Sequence, residues 1–123
     1  MKNMKGLYNE ALELLDRGEP YDACGKIWSI IKYETIALVL YVQKRREPPK
    51  DVSWREFLED TFVKAGLSRE EASKWASYYV DVRDRLYGAC FLGNIYEEKE
   101  HKPLIEKAKD YVVLVEKIIS EQT

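Results

Sequence analysis

With 123 residues, 46% of them hydrophobic and 34% charged, the chain can bury one sizeable core and is too apolar for a disordered polymer. Its 20 basic and 22 acidic side chains nearly cancel. A formal net charge of -2 therefore excludes whole-molecule attraction to nucleic acid or to an anionic membrane, and one soluble domain over residues 1–123 is expected.

The first segment, MKNMKGLYNEALELL, has neither a continuous apolar core nor a small-residue cleavage site, so it reads as a helix and not as a secretory signal. A cytoplasmic location follows as the expectation. Met4, Leu7, Tyr8, Ala11, Leu12 and Leu15 recur at spacings of three and four, predicting a helix over residues 3–17. Gly18 suits the position after that helix, and Pro20 the first turn of the next. A tight turn and two antiparallel helices are expected.

The second helix is predicted from Tyr21 to Arg46 and ends before EPPK, which no helix traverses. Its longest apolar run, TIALVLYV, is too short to span a membrane, so no membrane partner is expected. Lys44, Arg45, Arg46 and Lys50 read as solvated cations at the negative end of the helix dipole and not as a nucleic-acid patch. SWRE pairs Ser53 with Glu56 as a capping box for a shorter third helix ending at Gly66. Ser68 and Glu71 repeat the device at the start of a fourth, predicted to run to Glu97 with Gly88 and Gly93 as places to bend. Pro103 suits the first turn of a fifth, whose apolar side carries Leu104, Ala108, Tyr111, Val112, Val115, Ile118 and Ile119. No period-two strand is predicted.

The fold class is therefore all-α, an antiparallel four-helix up-and-down bundle with a short extra helix in the long connection. EALELLDRGEPYDACGKIW by itself resembles one helix pair of a tetratricopeptide repeat, which would make the chain a peptide-binding module. The later segments do not reproduce that pattern.

At 100° per residue, Arg83 falls near the middle of the apolar stripe of the fourth helix, and Glu34 near the middle of that of the second. Asp81, Asp84 and Arg85 project elsewhere as a solvated face. Because an uncompensated buried charge costs about 3–5 kcal/mol, a buried ion pair between Glu34 and Arg83 is the expected solution. The two cysteines, Cys24 and Cys90, lack C-x-x-C spacing and lie among apolar neighbours. They read as reduced, buried thiols, with a disulfide between packed helices as the alternative. His101 stands among Glu97, Glu98 and Glu100 without a defined ligand geometry and reads as part of a solvated loop. No metal and no cofactor are expected.

YDACGKIWSIIKYETIALVL resembles the second helix of HEPN-type domains, and DVRDRLYGACFLGNIYEE resembles their later long helix, in particular that of the small archaeal PaREP-type proteins. The likeness covers about residues 6–119 and implies a HEPN-like bundle. HEPN ribonucleases carry an arginine and, further along the same helix, a histidine, and the two meet across a homodimer to handle the RNA phosphate and the attacking ribose oxygen. Arg83 matches the arginine, and Glu34 the polar residue of the earlier helix. The histidine is absent: the matching positions are Gly88, Ala89 and Cys90 after Arg83, and Cys90, Phe91 and Leu92 after Arg85. The group that would titrate near neutral pH is thus missing.

Trp28, Tyr78 and Tyr96 fall off the central stripes and are candidates for an interface. The expectation is a noncatalytic HEPN-like homodimer that associates with a partner protein, a nucleotide or RNA. The alternative is a divergent ribonuclease whose catalytic candidates are Arg83 and Glu34.

Overall fold

The computed structural model describes residues 4–121 and is all-helical apart from its connections, with no strand among the described residues. The helices are α1 (Met4–Asp16), α2 (Pro20–Gln43), α3 (Trp54–Lys64), α4 (Arg69–Asp81) and α5 (Glu98–Glu121). From α4 the backbone continues without a break into a π-helical segment, Val82–Leu92, which a short non-helical stretch separates from α5.

Local chemistry explains most boundaries. Gly18, at φ 79°, and Gly66, at φ 110°, take the left-handed conformation that ends α1 and α3 at little steric cost. Ser53 accepts a hydrogen bond from the Glu56 amide and Ser68 from the Glu71 amide, so both expected caps form. α2 stops three residues short of Arg46, where Lys44 turns left-handed at φ 61° and its Nζ donates to the Tyr41 carbonyl at 2.8 Å.

Two further boundaries differ from expectation. α5 starts at Glu98, and Pro103 lies inside it. The start is held by a staple: the Tyr96 ring, just outside the helix, stacks on His101 at 5.4 Å, while His101 Nδ1 accepts from the Glu97 amide at 2.9 Å. Pro103 deprives only the Lys99 carbonyl of a donor, at an exposed position. His101 is consequently buried, 3% exposed, and not part of a solvated loop. The single long fourth helix is also corrected, because α geometry ends at Asp81.

Helix α2 is the axis of the molecule. It packs against α1, α3, α5 and the π segment, which explains why it is apolar nearly all round. Lys26 meets Glu10 across the Gly18 turn, so α1 and α2 are antiparallel. Cys24 meets Cys90 and Trp28 meets Tyr87, so the π segment also runs antiparallel to α2. Glu59 meets Arg69 and Arg55 meets Ser77, which makes α3 and α4 an antiparallel hairpin. The core lies where these faces converge, around Ile27, Ile31, Leu38, Leu58, Phe62, Leu86, Ile105, Tyr111 and Val115, all fully buried. No helix among the described residues is long and apolar enough to cross a membrane.

Candidate functional site

An open groove of about 530 Å³ runs where α1, α2 and the π segment meet. Leu7 and Leu14 line it from α1, Gly25 and Trp28 from α2, and Tyr87 and Phe91 from the π segment. Its polar lining is Asp22, Lys26 and Ser29. Lys26 is held by Glu10 at 3.2 Å, and the Ser29 hydroxyl donates to the Gly25 carbonyl.

The groove is one end of a row of rings. Phe91 stacks on Tyr87 at 5.9 Å and 17°, Tyr87 on Trp28 at 5.5 Å, and Trp28 leans on Tyr79 at 5.7 Å. Tyr79 continues to Trp54 at 5.6 Å, and Trp54 to Phe57 at 5.8 Å. Each such pair contributes about 0.5–1.5 kcal/mol beyond area burial, so the row is stiff. Its inner end, Phe57, is buried, whereas Phe91 remains 41% exposed beside Leu92 at 60%. Gly25 makes the outer end fit, since a Cβ there would stand 2.6 Å from Phe91 Cδ1.

The expected Glu34–Arg83 pair is not formed. Glu34 is 3% exposed and turns toward α5, where its carboxyl faces Glu116, while Arg83 is half-buried and its Nε meets Asp84 Oδ1 at 3.0 Å. There are two physical reasons. Glu34 lies six residues beyond Trp28, roughly 240° around α2 at 100° per residue, so it points away from the π segment that Trp28 contacts. From Val82 onward the wider winding also replaces the 100° step that placed Arg83 at the centre of a stripe, and Val82, Leu86 and Cys90 face inward instead.

Burial, followed by the neighbouring Glu116, pushes the Glu34 carboxyl up to about 8. Its Oε1 is buried without a hydrogen-bond partner. Next to it the Thr35 and Tyr111 hydroxyls bond each other between α2 and α5, and burial raises the Tyr111 phenol far above its ordinary value. A cleft of about 180 Å³, lined by Tyr8, Val112 and Glu116 among others, opens between α1 and α5.

Of the three interface candidates Trp28 lines the groove. Tyr78 is 4% exposed, packs on Trp75 and Tyr111, and donates to the Leu104 carbonyl at 2.7 Å, so it belongs to the core. Tyr96 is half-buried in the α5 staple, and its hydroxyl is buried without a partner. Cys24 and Cys90 are joined in a disulfide with Cα atoms 6.2 Å apart, which corrects the reading as reduced thiols. Sequence reasoning missed the groove, although the four-residue steps Gly25–Ser29 and Tyr87–Phe91 were visible.

Both sulfurs are bonded to each other, the His101 Nδ1 is engaged by backbone, and no group of three or more metal-ligating side chains converges among the described residues. The groove presents aromatic and aliphatic side chains to a partner. Compared with protein-family models, with curated proteins and with solved structures, the chain has no match.

Proposed function

We propose that the chain is a noncatalytic, HEPN-like helical module that works by self-association, with the aromatic groove and its Phe91–Leu92 rim meeting the same surface of a second copy. The observation that carries this reading is the row of rings whose last member, Phe91, is left 41% exposed at an open apolar groove, with Leu92 and Ile95 exposed close by in the chain. Large exposed apolar patches mark contact sites, and rigid aromatic rings lose little entropy on binding. Antiparallel packing of α2 against α1 and against the π segment supports the HEPN-like arrangement. A nucleic-acid partner is disfavoured at this surface, because the cation that lines it, Lys26, is already held by Glu10.

The divergent ribonuclease reading needs Arg83 and Glu34 together, and these residues face different neighbours. Two experiments test the proposal. Sedimentation of the wild type over a concentration series is expected to show dimer formation, and Phe91→Glu to raise the dissociation constant about tenfold or more. Val113→Glu, on an exposed part of α5, serves as the unaffected control. A wild type that stays monomeric, or a Phe91→Glu protein that associates equally well, defeats the reading. So does cleavage of mixed RNAs by the purified protein that is lost in Arg83→Ala with the fold retained.

A further inference from the structure

We infer that the Cys24–Cys90 disulfide is a redox control on this surface, acting by fixing the π winding of Val82–Leu92; the effect on association rests on the function proposed above, whereas the effect on winding does not. The bridge and the groove are built from adjacent residues. Cys24 precedes Gly25 and Cys90 precedes Phe91, so the bond that joins α2 to the π segment lies directly behind the contact in which Phe91 fills the space left by the absent side chain of Gly25.

Winding is the link between bond and groove. Val82, Leu86 and Cys90 are all fully buried and spaced by four residues. In an α-helix two steps of four residues turn the side chain by roughly 80° at 100° per residue, so Cys90 would leave the line set by Val82. In the wider winding of this segment all three are instead buried against the core. Runs of π-helix are rare and mostly a single turn long, which means that an 11-residue run needs an external constraint to hold it. Burial of Val82 and Leu86 fixes the near end, and the covalent bond at Cys90 fixes the far end.

Reduction removes that second constraint. A dithiol reductant delivers two electrons and two protons to the bridge, the S–S bond breaks into two thiols, and the reductant leaves as its own disulfide. The segment is then free to rewind toward α geometry, carrying Cys90 and Phe91 away from α2 and taking the last ring out of the row. Since both cysteines are fully buried, this exchange requires local opening and is slower than for an exposed bridge.

The test compares the oxidised full chain, the same chain treated with dithiothreitol, and a Cys24→Ala, Cys90→Ala variant. Thiol titration in denaturant without reductant is expected to find no free thiol, and finding two overturns the inference. Amide hydrogen exchange is expected to accelerate about tenfold or more over residues 82–92 on reduction, while α3 and α5 keep their protection. The variant should match the reduced form and not respond to reductant. Equal exchange in both redox forms overturns the inference, and so does an equal loss of protection in every helix, because the bridge is then a general staple. Association is read in parallel by sedimentation. Accelerated exchange with no dimer in either form sinks the proposed function and leaves the control of winding standing; a dimer unaffected by reduction, with exchange unchanged, does the reverse.

Discussion

The substitution Glu34→Gln isolates the one side-chain carboxyl that is buried among the described residues. Its value rises from 4.5 to about 8, first through burial and then through Glu116. Because the folded-state value lies above the unfolded one, its contribution to stability is complete below about 4.5 and is lost as the pH rises through about 8. At about 1.4 kcal/mol per pK unit the full span corresponds to about 5 kcal/mol. Half of that is retained here, since the facing Glu116 is exposed and its field is screened by solvent, leaving about 2–3 kcal/mol. A neutral Glu34 can donate toward Glu116, and the amide introduced by Glu34→Gln can do the same at every pH. Urea unfolding at pH 5 and pH 9 measures the effect. With a slope of about 1.5 kcal/mol/M, the wild-type midpoint should fall by about 1.3–2 M more than that of Glu34→Gln between the two pH values. Parallel losses in the two proteins would refute the reasoning, because the titrating group would then lie elsewhere.

Tyr111→Phe removes the partner of the fully buried Thr35 hydroxyl and should cost about 1–3 kcal/mol in chemical denaturation, with Thr35→Val in the same background recovering part of it. Gly25→Ala should push Phe91 out of the ring row; it is expected to lower Trp28–Tyr87 coupling in near-ultraviolet circular dichroism and to be relieved by Phe91→Ala. His101→Ala removes both the acceptor for the Glu97 amide and the ring under Tyr96, so exchange at residues 97–101 should quicken, at a cost of about 1 kcal/mol. Arg83→Ala should change stability by less than about 1 kcal/mol, since its partner Asp84 is a solvent-exposed neighbour.

What could be read from the sequence was the local chemistry. Ser53, Ser68, Gly18 and Gly66 act on amides and dihedrals within a few residues, so their roles do not depend on the rest of the fold. Glu34 was recognisable as a charge on a buried face for the same reason. Its partner was not, because α2 meets a different neighbour on each side, and helical periodicity gives a residue's direction without saying which helix lies there. Arg83 was misplaced by a further step, since a 100° projection has no provision for π winding that begins one residue earlier. Pro103 drew the start of α5 too far along the chain; the Tyr96–His101 staple that holds the true start joins a tyrosine and a histidine where an aliphatic pair is the usual signal.

The Cys24–Cys90 bond closes a covalent ring that contains most of α2, all of α3 and α4, and most of the π segment. A protease that cuts at the exposed Lys44–Glu47 stretch therefore does not divide the molecule. One piece keeps α1 and α2, the other keeps α3 to α5, and the sulfur bridge holds them as a two-chain protein whose nick appears only on a reducing gel. The peptide link between Gln43 and Ser53 is thus dispensable to the integrity of the oxidised protein, and this stretch is where an inserted reporter or a permuted terminus would be best tolerated.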